Sequence, residues 1–215
     1  MAQRAASIIP PNLILRTISA GLLAPPFFAS IYFGSPWFDI VIIVSAVIMN
    51  WEWTGLCFGK GFHKLGLITL SGIFTAVLSL YLIGLASSLF VLVLHCSLAI
   101  GFFVITKRQK VSLLITGNIL LCLFCISFLW LRSLEEFGRD LMIWLVLAVW
   151  FTDIGGFLFG KIFGGKKLVP SISPNKTWSG LFGAILLCGI WGQIWSFYFN
   201  VYGSEIIIAG FFLAV

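Results

Sequence analysis

Charge is what this sequence has least of. Its 215 residues carry 13 Lys and Arg and 7 Asp and Glu, 9% in all, against roughly a quarter in soluble domains. So low a share excludes an ordinary water-soluble domain. Histidine is nearly absent: His63 and His95 are the two present. Neither has a second ligand at metal spacing, so no zinc site is expected. The short segments of alternating apolar and polar residues that build a membrane β-barrel are also missing. Cysteine is not scarce, but its five copies (Cys57, Cys96, Cys122, Cys125 and Cys188) all lie in or beside apolar runs. Cys122 and Cys125 form a CxxC inside LLCLFCISF with no polar partner close in sequence. They read as small packing residues rather than redox or metal ligands.

What is present is apolar length. Hydrophobic residues make up 60% of the chain, and the mean hydropathy is +1.12. The runs are continuous and about 20 residues long, as a membrane-crossing helix requires. The fold class expected is therefore all-α: a polytopic integral membrane bundle forming one transmembrane domain over 1–215. Spans are expected near 17–33, 37–57, 65–84, 87–105, 112–131, 140–160 and 178–199, with an eighth starting near Glu205. The N-terminal segment MAQRAASIIPPNLILR is too polar to span. Arg16 interrupts the first apolar run and Pro25-Pro26 follow, so this region reads as an uncleaved first helix rather than a signal peptide.

Basic residues set the orientation, because cytoplasmic loops are enriched in Lys and Arg. With the N-terminus inside, Arg4, Arg16, Lys60, Lys64, Lys107, Arg108, Lys110, Lys161, Lys166, Lys167 and Lys176 are cytoplasmic. Only Arg132 and Arg139 fall outside, which is eleven of thirteen inside. Of the seven acids, Asp39, Glu135, Glu136, Asp140 and Glu205 fall at outer ends or loops. Glu52 and Asp153 lie toward the cytoplasmic ends of helices, within reach of basic loops. Each could be a structural partner for a loop lysine, Lys60 in the case of Glu52. Each could instead be functional, since an acid at membrane depth is costly to keep, and Asp153 has the glycine and lysine pattern beside it.

Asp153 opens the most informative stretch, FTDIGGFLFGKIFGGKKLVPSISPNKTWSG, residues 151–180. It combines an acid in an apolar run with glycine steps at Gly155-Gly156, Gly160 and Gly164-Gly165. A loop with Lys161, Lys166, Lys167 and Lys176 follows. The glycines admit either a ligand or a neighbouring helix close to the backbone, and packing alone would explain them. Ser173-Pro174 has the form of an N-cap followed by proline at the first helical position. A helix starting there would offer free N–H groups to phosphate beside Lys176, or would simply be a capped helix. Gly160, Gly165 and Lys166 match part of a P-loop. Lys167 stands where Ser or Thr would bind magnesium, and a membrane helix rather than a strand precedes it, so the match is rejected.

These residues resemble the phosphatidate cytidylyltransferases, the membrane enzymes that make CDP-diacylglycerol. The matching text is Thr152-Asp153, Gly156, Phe159-Gly160-Lys161, Phe163-Gly164, Lys167-Leu168 and Ser173-Pro174-Asn175-Lys176-Thr177-Trp178. The last piece is the most specific. Trp51-Glu52-Trp53 is similar to the family's early glutamate–tryptophan element. In motif the resemblance covers about 30 residues, and in hydropathy the whole chain. Two departures stand out. Ser179 occupies a position where the family usually has an acid. The family's second cytosolic signature, with its Gly-His-Gly-Gly element and metal-binding acids, has no counterpart before the sequence ends at Val215 in GFFLAV. The resemblance thus implies a chain cut short at its C-terminus. Its principal metal acids would lie beyond Val215, and the 215-residue chain alone is expected to lack activity.

The implied reaction is attack of a phosphatidate phosphate on the α-phosphorus of CTP, releasing pyrophosphate, with Mg²⁺ as cofactor. Such chemistry needs charge neutralisation and alignment. The resemblance implies catalytic roles for Asp153 and Lys176. Substrate binding would fall to Lys161, Lys166, Lys167, Ser173, Asn175, Lys176 and Thr177, and metal contact to Asp153 and Glu52. Partners implied are CTP, phosphatidate and the bilayer of a bacterial inner membrane; nucleic acid is not among them, and a homodimer is left open. The alternatives are a CTP-dependent lipid kinase or related lipid cytidylyltransferase, an inactive fragment, or a transporter. A transporter would place its polar groups at the membrane midplane, whereas these gather at one face.

Overall fold

The computed structural model describes residues 13–59, 64–106, 111–171 and 173–199. Among them are seven helices and one two-stranded hairpin. The helices are α1 Leu13–Phe33, α2 Trp37–Phe58, α3 Lys64–Leu82, α4 Leu85–Thr106, α5 Val111–Ser133, α6 Gly138–Ile162 and α7 Trp178–Phe199. The strands β1 Lys167–Val169 and β2 Ser173–Thr177 lie between α6 and α7. All seven helices fall where the hydropathy places spans. Five stretches are long and apolar enough to cross a membrane: Trp37–Phe58, Lys64–Leu82, Ser112–Ser133, Gly138–Ile162 and Trp178–Tyr198. Ile18–Phe33 and Leu85–Gly101 are shorter apolar stretches. The eighth span expected near Glu205, and the loop residues Lys60, Lys107, Arg108 and Lys110, lie outside the described residues. Helices are what the composition demands, because backbone groups in hydrocarbon must satisfy one another within the segment.

The exterior supports the bilayer reading. Only 28% to 50% of each of those five stretches is buried. The remainder presents large apolar side chains such as Leu56 and Phe182, a surface that water would not tolerate.

The chain divides into two compact units, Met1–Arg139 and Asp140–Val215. In the first, α5 packs against α2, α3 and α4, while α1 packs on α2. The inward face of α2 is the row Phe38, Ile42, Ala46, Asn50, Thr54 and Cys57, the three-to-four-residue spacing that stacks side chains on one helical face. Cys122 and Cys125 are buried on α5 beside Leu121 and Ile126. Three polar devices lock this unit. Asn50 donates to the Gly66 carbonyl at 3.0 Å and accepts from the Thr69 hydroxyl at 2.6 Å. Trp53 donates to the Leu113 carbonyl at 2.9 Å, its indole seated where Gly117 has no side chain. At the other end of α5, Arg132 donates to the Ile31 carbonyl at 2.7 Å and so occupies one of the orphan carbonyls that close α1.

The second unit is built on a glycine seam. Gly155, Gly156 and Gly160 of α6 face Gly180, Gly183 and Ala184 of α7. A Cβ on Gly180 would lie 2.8 Å from the Gly156 carbonyl oxygen, and one on Gly183 would lie 2.6 Å from that of Gly155. Small residues are what allow two membrane helices so close. Further along, Trp144, Ala148, Cys188 and Trp195 form a buried cluster, and Trp191 donates to the Trp144 carbonyl at 3.2 Å. Helix α6 ends through Gly164 and Gly165, at φ 58° and 99°, a left-handed turn that glycine makes without a Cβ penalty. The hairpin follows, antiparallel, with Lys167 opposite Thr177 and Val169 opposite Ser173.

Candidate active site

The structure corrects one expectation about this region. Ser173 and Pro174 do not begin a helix; they belong to β2, and α7 begins four residues later at Trp178. The cap is Thr177, whose Oγ1 accepts the Gly180 N–H at 3.2 Å, the bond from N-cap side chain to third helical residue that defines such caps. The Trp178 N–H donates to the Lys166 carbonyl at 3.1 Å. Two of the first N–H groups of α7 are therefore taken by the protein, and anion attraction at this end falls mainly on Lys176 and the helix dipole.

Ser179 completes the join. Its hydroxyl donates to the Gly164 carbonyl, which spends its single proton. The 3.0 Å contact between Thr177 and Ser179 hydroxyls must then be Thr177 donating to Ser179. A chain of three bonds, Gly180 N–H to Thr177, Thr177 to Ser179, and Ser179 to Gly164, ties the helix start to the glycine turn after α6. The residue standing where the family usually carries an acid is thus used to close the loop.

Against this join lies a cavity of about 320 Å³ lined by α6, β1, β2 and α7. Its polar lining is Thr152 and Asp153 from α6 with Asn175, Lys176 and Thr177 from β2. Gly156 and Gly180 form part of its floor. Four of the predicted site residues are brought together here: Asp153, Asn175, Lys176 and Thr177. Asp153 and Lys176 are exposed, and neither has an ion-pair partner among the described residues. The cavity therefore sets an unpaired carboxylate and an unpaired ammonium at one mouth. The glycines resolve both ways: Gly155 is helix packing, while Gly156 serves packing and cavity at once.

The other predicted residues do not line it. Lys161 projects from the last turn of α6 over the Phe157 ring, 5.3 Å from its centroid. Lys166, Lys167 and Ser173 sit on the hairpin outside the lining, Lys166 and Lys167 exposed and Ser173 half-buried. Glu52 is exposed on α2 in the first unit. Thr152 is the polar lining residue that the sequence reading left without a role; its hydroxyl donates to the Ala148 carbonyl at 2.8 Å, which leaves its lone pairs to the cavity. No group of three or more His, Cys, Asp or Glu gathers as a metal cluster among the described residues.

Five helices of membrane-crossing length and composition define an integral membrane protein, and in its second unit a carboxylate and an ammonium share the lining of one cavity. The chain belongs to the cytidylyltransferase family, whose profile matches residues 14–215. It is similar to the phosphatidate cytidylyltransferase of Rickettsia bellii, 28% identical over 186 residues, which is 86% of this chain and 58% of that protein. It is also similar to those of Brucella suis, 49% identical over 53 residues, and Staphylococcus epidermidis, 43% identical over 65 residues. These matches cover 25% and 30% of this chain and 20% and 25% of those proteins. The aligned parts thus span less than two thirds of the length of these relatives, from 20% to 58%.

Proposed function

We propose that this protein is a phosphatidate cytidylyltransferase, converting CTP and phosphatidate to CDP-diacylglycerol and pyrophosphate. The observation that carries this reading is the cavity uniting Asp153 with Asn175, Lys176 and Thr177, the residues of the family-like stretch, at the ends of two membrane-length helices. A phosphatidate oxygen would form a bond to the α-phosphorus of CTP while the bond to the β-phosphate bridging oxygen breaks and pyrophosphate leaves with its electron pair. Lys176 neutralises phosphate charge, and the Asn175 amide N–H groups orient phosphoryl oxygens. The apolar walls from Phe157, Leu168 and Leu181 keep the glycerol end of the lipid at the membrane face. Lys166, Lys167 and Lys161 supply a positive rim that draws anions toward the cavity.

Mg²⁺ fits this donor set in a restricted way. The Asp153 carboxylate is one hard oxygen ligand, and magnesium is commonly held by one or two carboxylates with substrate phosphates and water completing its shell. When bound it would supply charge neutralisation at the triphosphate. We further read all seven helices as spans, in a bacterial plasma membrane, with the N-terminus and the hairpin cytoplasmic, where CTP is found.

The test is CTP-dependent formation of CDP-diacylglycerol from phosphatidate in membranes carrying the intact gene product. Lys176→Ala and Asp153→Asn should each lose at least about 100-fold, the scale of removing one electrostatic contact to a charged transition state. Lys167→Ala, on the rim, should lose far less. Absence of product with the intact gene product would refute the reaction. Equal activity of the Lys176 and Lys167 variants would refute the site.

A further inference from the structure

The first unit holds a second cavity, of about 230 Å³, between the first turns of α3, the middle of α4 and the start of α5. Its walls are largely apolar, with Leu65, Ile68, Leu98 and Leu114 among them, but three polar side chains converge on it: Thr69, His95 and Asn118. We propose that this cavity is a binding site for an acyl carbonyl and its first methylenes, the shared chemistry of a glycerolipid ester and a fatty acid.

The argument rests on Asn118. It is 3% exposed, and its one hydrogen bond among the described residues is a weak one, accepted by Oδ1 from the Cys122 thiol at 3.8 Å. The two N–H bonds of its amide have no partner among those residues. A buried amide left unpaired is destabilising, and this one borders a space large enough to hold a partner. The Thr69 proton is already committed to Asn50 Oδ1 and the Gly66 carbonyl. His95 packs its ring on Gly72, and a neutral imidazole offers one donor and one acceptor. The unmet need is therefore mainly for a neutral acceptor oxygen. An ester or acid carbonyl supplies one without bringing a charge into the membrane interior, which would be costly.

Size and access agree. An engineered apolar cavity of about 150 Å³ holds a benzene ring, so this one takes a carbonyl and a short run of methylenes rather than a whole lipid. Ile68 and Leu98, which line it, are themselves exposed. The cavity thus opens sideways, where acyl chains lie, and not into a sealed core. A water bound by the three polar groups is the competing occupant, since buried waters take two to four polar partners.

The experiment uses the full chain in phospholipid vesicles doped with a glycerophospholipid carrying a diazirine near its ester, or in a parallel arm with a diazirine fatty acid. Crosslinks are mapped by peptide mass spectrometry. Labelling is expected at 95–99 and 114–118, and the stronger arm identifies which source supplies the carbonyl. Filling the space by Ala99→Phe, or from the opposite wall by Ile115→Trp, should lower it at least about fivefold while labelling near lipid-facing Leu22 is unchanged. Asn118→Leu, similar in volume but without donors, should lower it similarly. Labelling that is absent would mean a dry or water-filled cavity. Labelling no denser than at Leu22 and insensitive to both fillings would mean ordinary annular lipid. Either result, or an Asn118→Leu protein that labels normally, overturns the proposal.

Discussion

Thr177 is buried at the point where β2 becomes α7, and its one hydroxyl is used in both directions. It accepts the Gly180 N–H and donates to Ser179. Removing that hydroxyl without changing the shape of the side chain isolates its contribution. Thr177→Val should destabilise the protein by about 1 kcal/mol, the usual cost of losing a capping oxygen. The Ser179 oxygen would lose its donor as well, which pushes the effect upward. Thr177→Ser keeps the hydroxyl and should melt close to the unaltered protein. The measurement is thermal unfolding in detergent, and equal melting temperatures for the Val and Ser variants would show that the cap is not holding the helix start. Since Lys176 precedes the cap directly, the Val variant should also bind CTP more weakly than the Ser variant.

At the scale of elements, the α6–α7 seam makes a sharp comparison among glycines. Gly180→Ala forces a methyl group to within 2.8 Å of the Gly156 carbonyl, and Gly183→Ala meets the Gly155 carbonyl and the Phe159 side chain. Overpacking of this kind costs about 1–3 kcal/mol. Gly189 lies on the same helix with nothing within 4 Å of its virtual Cβ, so Gly189→Ala should be neutral or slightly stabilising. Denaturant titration of the three variants tests this, and equal effects at Gly183 and Gly189 would dissolve the seam. The helices themselves were legible in the sequence, because a membrane allows few alternatives to a continuous apolar helix. The hairpin was not. Its strands are three and five residues long, and Ser-Pro-Asn-Lys-Thr has none of the apolar alternation that marks a strand. Ser173-Pro174 also imitates a helix start, so the cap was expected four residues before Thr177, which has the same hydroxyl chemistry. Asp153, Asn175, Lys176 and Thr177 could be picked out because they are close together in the chain and carry a specific motif. Asn118 and His95 could not, since each lies alone on an apolar helix and only packing brings them to one cavity.

At the scale of the whole molecule, orientation in the membrane rests on where the basic residues lie. Eleven of thirteen fall on one side when the N-terminus is inside, and such bias in short loops is what sets topology. The two exceptions have local employment. Arg132 donates to the Ile31 and Tyr32 carbonyls, and the Arg139 guanidinium lies 5.6 Å from the centroid of the Tyr32 ring. Both act as structural ties at the end of the first unit, so their position does not weigh against the bias. The hairpin should then be cytoplasmic, and the 134–137 connection between α5 and α6 should face outward. A cysteine placed at Lys167 is exposed and outside the cavity lining, so it should be tolerated; one at Glu136, also exposed, probes the other side. The native cysteines are buried or half-buried in the helices, which makes the unaltered protein a suitable blank. With a membrane-impermeant maleimide on intact cells, the Glu136→Cys protein should label directly and the Lys167→Cys protein only after permeabilisation. The reverse pattern would place the hairpin, and with it the cavity of Asp153 and Lys176, on the side of the membrane where CTP is absent, and the proposed reaction would fall together with the topology.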